Sequence, residues 1–181
     1  MRKGLVVTSL LLFVTLAACL TLSQALDLSL DKAPAEVYFS PHGGCTEAIV
    51  KEIGRAQSEI LVQAYSFSSA PIAKALLDAH KRGVREEVIL DKSQRTQRYS
   101  SATFLANVGI PTFIDGKYAI AHNKIMIIDR SIVITGSFNF TKAAEEKNAE
   151  NVLVIRSKDL ARAYLGNWYK HKEHAEEYRR G

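Results

Sequence analysis

The chain is predicted to be α/β, a mixed β-sheet sandwiched between helices, in one domain. Two observations carry this expectation. Apolar stretches with strand-like alternation interleave with stretches of helical spacing from residue 36 onward, and no low-complexity or linker segment interrupts residues 26–181. The length of that region suits a single core.

Residues 1–25 stand apart. Arg2 and Lys3 precede an apolar run from Leu5 to Leu22, and Ser23-Gln24-Ala25 supplies small residues at the positions a signal peptidase reads. The expectation is a signal peptide over 1–25 and a mature chain over 26–181, exported to the periplasm or secreted by a bacterium. Two alternatives stay open. Leu16-Ala17-Ala18-Cys19 resembles a lipoprotein box that would lipidate Cys19, and the apolar run could remain as an uncleaved anchor.

Cleavage after Ala25 would remove Arg2 and Lys3, taking basic residues from 24 to 22 against 19 acidic ones, so net charge falls from +5 to +3. A mildly basic chain is compatible with a polyanionic partner without proving one. Cys45 would be the one remaining cysteine, expected to be buried and inert.

The elements follow in order. Glu36–Phe39 reads as a strand, and Cys45–Gln57 as a helix from Ala48, Ile49, Ile53 and Ala56. His42-Gly43-Gly44 before it reads as a turn. Glu59–Ser66 alternates as a strand, and Ser69–Arg82 is a helix opened near Pro71 and closed by Gly83. Val88–Asp91 is a strand, although the charges in Val84-Arg85-Glu86-Glu87-Val88 suggest a sheet edge, a shifted register or a local irregularity. Gln94–Asn107 is expected to be helical, Thr112–Ile114 extended, and Asp115-Gly116 a turn. Tyr118–Ile128 and Ile132–Thr135 form a hairpin around Asp129-Arg130-Ser131. A short helix to Lys147, a strand over Asn151–Arg156 and a helix from Leu160 to Tyr178, with Tyr164, Leu165 and Trp168 inward, complete the chain.

The chemistry concentrates in that hairpin. On a strand His122 and Lys124 would share a face, putting an imidazole beside a fixed cation. Ser137 and Asn139 follow the next strand. A nucleophile, a cation and two small hydrogen-bonding groups suit a phosphate ester. A phosphodiester resists water because its oxygens repel the nucleophile and its alkoxide leaves badly. Covalent catalysis needs a nucleophile and a separate acid in opposite protonation states. One chain supplies one such histidine, so a two-fold homodimer sharing the site is the economical solution.

His122, Lys124, Asp129, Gly136, Ser137 and Asn139 fit H-x-K-x4-D-x6-G-S-x-N at every position. The pattern resembles the phospholipase D superfamily, and within it the short exported bacterial endonucleases of the Nuc type, which carry one motif per chain. The resemblance covers the mature chain and implies a phospholipase D-like fold and a homodimer with the active site at the two-fold interface. It implies His122 as nucleophile in one subunit, through a phosphohistidine, and as general acid and base in the other. Lys124, Asn139 and Ser137 would hold the phosphoryl oxygens, with Asp129 and Gly136 as structural support. Asn148-Ala149-Glu150 resembles the family's N-x-E element, in which the glutamate accepts a hydrogen bond from the catalytic imidazole.

Neither a cofactor nor a metal is expected at this site, since fixed donors replace the charge a metal would supply. No Cys/His spacing resembles a zinc site. His80-Lys81 and His171-Lys172 lack the motif and are expected to be solvated helix positions. Weaker substrate-binding candidates are Ser66, after a strand end, and Lys92, Arg95 and Arg98, interleaved with Tyr99 as backbone phosphates and bases would require. The expected function is nonspecific endonucleolytic hydrolysis of DNA, with RNA as a further candidate substrate, without stable membrane insertion after signal removal. A phospholipase D or cardiolipin hydrolase with the same site is the alternative, and a non-catalytic exported nucleic-acid binder a third.

Overall fold

The structure is a computed structural model that describes residues 26–179. The signal-peptide, lipoprotein and anchor expectations for residues 1–25 lie outside the described residues.

Eight strands form one mixed sheet in the order β1-β7-β6-β5-β2-β3-β4-β8. They are β1 (Ala35–Ser40), β2 (Glu59–Ala64), β3 (Arg85–Asp91), β4 (Thr112–Asp115), β5 (Lys124–Ile128), β6 (Ile132–Gly136), β7 (Glu150–Arg156) and β8 (Glu176–Glu177). The unit β2-β3-β4 is parallel, and every other pairing is antiparallel. Helices α1 (Cys45–Arg55), α2 (Ala70–Lys81), α3 (Ala102–Asn107), α4 (Lys142–Glu146) and α5 (Lys158–Lys172) cover the two faces.

Strand alternation sorts the core. Ile60, Val62, Val88, Leu90, Met126, Ile128, Ile134, Val152 and Val154 meet Ile49, Ile53, Ile72, Leu76, Leu105 and Ala144 from α1–α4. Leu61, Ile89, Ile125, Ile127 and Val133 face α5, where Trp168 is fully buried and its indole N–H donates to the Val62 carbonyl at 3.0 Å. The sandwich agrees with the expected fold class.

Four segments differ from the sequence reading. The helix expected over Gln94–Asn107 is a 3₁₀ turn (Lys92–Arg95) followed by α3. Polar residues 96–101 offer no apolar face, and the Gln94 side chain is turned inward, accepting the Phe67 N–H. The strand expected over Tyr118–Ile128 begins at Lys124, because residues before His122 are drawn sideways to the end of β3. The last helix stops at Lys172. Tyr178 is bound to β4 through its backbone N–H (2.8 Å to the Thr112 carbonyl), and its hydroxyl pairs with Thr103. Finally, β3 is an interior strand in regular register, so the charges of 85–87 mark neither an edge nor a slip. Glu86 is buried 3.6 Å from His80, and Arg85 joins Glu59 and Glu87.

Candidate active site

The motif residues collect at one end of the sheet because neighbouring strands end or begin there in register. Ser40 pairs with Glu150, Ala64 with Lys124 and with Leu90, and Gly136 with Val152. Adjacent strands lie about 4.8 Å apart, so Lys124 and Glu150, two strands apart in the sheet order, come within reach of one substrate group.

His122 is exposed, in the irregular stretch just before β5. Its ring packs on Tyr65 with centroids 4.5 Å apart. Lys124 points the same way but is 7% exposed, with its ammonium 2.8 Å from the His122 carbonyl and 5.1 Å from the centre of the Tyr65 ring. Burial pulls the Lys124 pKa below its ordinary value, and Glu150 opposes that pull. One residue missed by the sequence reading is therefore Tyr65. The signal was the aromatic at the end of an otherwise aliphatic strand.

Gly136 ends β6 at φ 150, and a Cβ there would strike the Asn151 carbonyl oxygen, so glycine is required. That close approach lets the exposed Ser137 accept from the Asn151 backbone N–H at 3.1 Å and from Asn151 Nδ2 at 3.3 Å. Two bonds accepted leave the hydroxyl proton free to donate. Asn139 is half-buried between the fully buried Phe138 and Phe140, and its Oδ1 is sealed without a partner.

Glu150 is placed at the start of β7, but its carboxylate accepts from Asn148 Nδ2 at 3.2 Å. The bond to the His122 imidazole implied by the family element is not among the hydrogen bonds of the described residues. Ser40 ties the segment together, accepting the Glu150 N–H and donating to the Asn148 carbonyl.

Asp129 sits at the opposite end of β5, about 17 Å away at the rise of a strand. It accepts from the backbone N–H groups of Gln57, Ser58 and Glu59 and from the Ser58 hydroxyl, at 2.8–3.0 Å. Ser66 is half-buried one residue beyond Tyr65. The basic segment is partly occupied: Lys92 donates to the Tyr118 carbonyl at 3.0 Å and Arg95 pairs with Glu176 at 3.0 Å. Arg98 forms no ion pair among the described residues and is exposed, its guanidinium 5.6 Å from the centre of a Tyr99 ring that is 75% exposed.

Cys45 is buried at the start of α1, where burial pushes its thiol up to about 11. His42 begins a turn, its N–H bonded to the Glu145 carbonyl. The solvated positions expected at His80, His171 and Lys172 are not so. His80 adjoins buried Glu86, Lys172 pairs with Glu87 at 2.6 Å, and His171 and His174 both bond the fully enclosed Asp115.

Comparison with known proteins bears on the family and the fold. The family described as cardiolipin synthase, PLD-like domain, matches residues 49–170. A phospholipase D of Rickettsia felis is 48% identical over 134 residues, covering 74% of this chain and 67% of that protein. A mitochondrial cardiolipin hydrolase of Canis lupus familiaris is 29% identical, covering 74% of this chain and 57% of that protein. Among solved structures, a phospholipase D family member, Nuc from Salmonella typhimurium, superposes with a TM-score of 0.78. It is 40% identical, and the match covers 82% of this chain and 99% of that one.

Proposed function

The chain belongs to the phospholipase D superfamily and is a phosphodiesterase, and from that premise we propose that it is an exported, nonspecific endonuclease. The observation that carries the reading is the pairing of exposed His122 with buried Lys124 at the sheet end; exposed Arg98 and Tyr99, in the segment that follows β3, add a cation and an aromatic ring. A nucleic-acid strand uses both, the one for its phosphates and the other for stacking. The likeness to Nuc over nearly that protein's whole length supports the same reading.

In the proposed mechanism His122 of one copy attacks phosphorus, and the P–O bond to the leaving nucleoside breaks. His122 of a second copy gives its proton to the leaving oxygen. It then takes a proton from water, whose oxygen attacks phosphorus and displaces the first His122 as the P–N bond breaks. Lys124, the Ser137 hydroxyl and the Asn139 amide hold the non-bridging oxygens as negative charge builds. Glu150 lies close enough to Lys124 to act on its charge and orients the site, while Gly136 and Asp129 hold the scaffold. A homodimer follows from one His122 per chain. Phe39 (63% exposed), next to Ser40 in β1, and Ile120 (55% exposed), just before His122, offer apolar surface for the contact. Export rests on residues 1–25, and no described helix is long and apolar enough to cross a membrane.

A second reading, hydrolysis of phospholipid diesters, is favoured by the names of two relatives, phospholipase D and mitochondrial cardiolipin hydrolase. Plasmid cleavage in excess EDTA separates the two. Wild type should cut and His122→Ala should not. A folded dimer that leaves plasmid intact but cleaves cardiolipin vesicles would replace the nuclease reading with the lipid one.

A further inference from the structure

Away from the motif, Asp115 at the end of β4 is completely enclosed, and each of its oxygens faces a different imidazole. His171 Nδ1 lies 2.6 Å from Oδ2 and His174 Nε2 lies 3.1 Å from Oδ1. The two histidines come from the last turn of α5 and just beyond it, and their side chains are only 12% and 19% exposed. The three donor atoms all lie within 4.8 Å of one another. We propose that Asp115, His171 and His174 form a structural site for a borderline transition-metal dication such as Zn²⁺.

The donor set decides the class of ion. Two imidazole nitrogens and one carboxylate oxygen suit Zn²⁺, Co²⁺ or Ni²⁺, whereas Mg²⁺ and Ca²⁺ take oxygen ligands. Histidines three residues apart on a helical turn project to the same side, which is how both rings reach one carboxylate. Neutral imidazoles need only shift their proton to the outward ring nitrogen to bind the ion. The carboxylate is also oriented as ligand carboxylates are, by a backbone donor: the Lys117 N–H bonds Oδ1 at 3.1 Å. Tyr118 lies over both rings, with centroids 5.1 and 5.5 Å away. Next to His174 a cavity of about 370 Å³ opens to solvent, leaving a fourth position for water. Of the three cations lining that cavity, Lys92 is turned to the Tyr118 carbonyl, Arg95 is paired with Glu176, and the Lys117 ammonium lies 6.0 Å from the centre of the Tyr118 ring.

Bound there, the ion would join the end of α5 to the segment 116–121 that leads into His122. The site is three strands from β5, about 14 Å at strand spacing, so it braces the loop rather than touching substrate. This inference stands apart from the nuclease reading, and its test reads binding rather than cleavage.

The experiment is calorimetric titration of the EDTA-stripped protein with Zn²⁺, with thermal unfolding followed in parallel. One ion should bind per chain, and at a hundredfold excess over Kd the Tm should rise by about 5–10 °C. His174→Ala and Asp115→Asn should each weaken binding at least tenfold, while His122→Asn should leave it unchanged. His174 lies beyond the helix, so its variant keeps the test readable if the Asp115 variant fails to fold. Absence of saturable binding below about 100 μM would overturn the proposal. So would binding that survives His174→Ala and disappears with His122→Asn.

Discussion

The Asp91 carboxylate, at the end of β3, accepts the backbone N–H of Ala121 at 2.7 Å, fixing the chain one residue before His122. The same carboxylate accepts from Ser93 N–H at 2.9 Å. Burial alone would raise the Asp91 pKa. The bonds from Ser93 and Ala121, with Lys92 nearby, outweigh it and hold the carboxyl below its ordinary value. An element two strands from the motif therefore sets where the nucleophile stands.

Replacing Asp91 by Ala should lower kcat at least tenfold with a smaller effect on KM, because His122 loses its position while the phosphate-holding groups remain. The buried N–H left without an acceptor should also cost about 1–3 kcal/mol of stability. Steady-state kinetics beside urea unfolding separate the two effects. An unchanged kcat would remove the positioning role.

Lys124→Ala and Asn139→Ala should each lower the cleavage rate by roughly 10²–10³ by removing donors to the transition state. Lys124→Ala should not weaken the fold through a lost salt bridge, since among the described residues its ammonium contacts the His122 carbonyl and the Tyr65 ring, and Glu150 acts on it at longer range. Single-turnover rates on one plasmid substrate give the comparison.

Asp129→Ala should do the reverse. Four donors, three of them backbone N–H groups, lose their acceptor, so stability should fall by about 2–4 kcal/mol. Activity per folded molecule should stay within about twofold, given the length of β5 between Asp129 and His122. Loss of activity in molecules still folded by circular dichroism would move Asp129 into the chemistry.

Glu86 should make stability depend on pH. Burial raises its carboxyl from 4.5 to about 8, with Arg82 opposing. The unfolded chain releases this proton near 4.5 while the folded chain keeps it to about 8, so the folded state binds more protons between those values. Stability should decline as pH rises through that window, by on the order of 4 kcal/mol. Glu86→Gln should flatten the decline. Denaturant unfolding across the window measures it.

The sandwich, its element order and the motif that marks the candidate site were legible because they depend on local pattern. The placing of Ile60, Val62 and Ala64 on one face of 59–64 and the helical spacing in 45–55 are properties of neighbours in sequence. What stayed hidden depends on partners far along the chain. The start of β5 was misplaced because Asp91, thirty residues upstream, pulls Ala121 out of strand geometry. The end of the last helix was misplaced because Tyr178 bonds Thr112 and Thr103. The meeting of Asp115 with His171 and His174 spans more than fifty residues, and no spacing rule reaches that far. The burial of Glu86 ran against composition itself, since a carboxylate in an interior strand reads as an edge.

Cys45 gives the chain an experimental advantage. Its sulfur is shut inside the core with a thiol that stays protonated near neutral pH, so alkylating reagents should pass it by in the folded protein. A cysteine introduced at an exposed position, such as Tyr99, would then be the one group among residues 26–179 to take a fluorophore or spin label. The distance between two such labels, one per copy, would report how the copies meet in solution without disturbing the native sulfur.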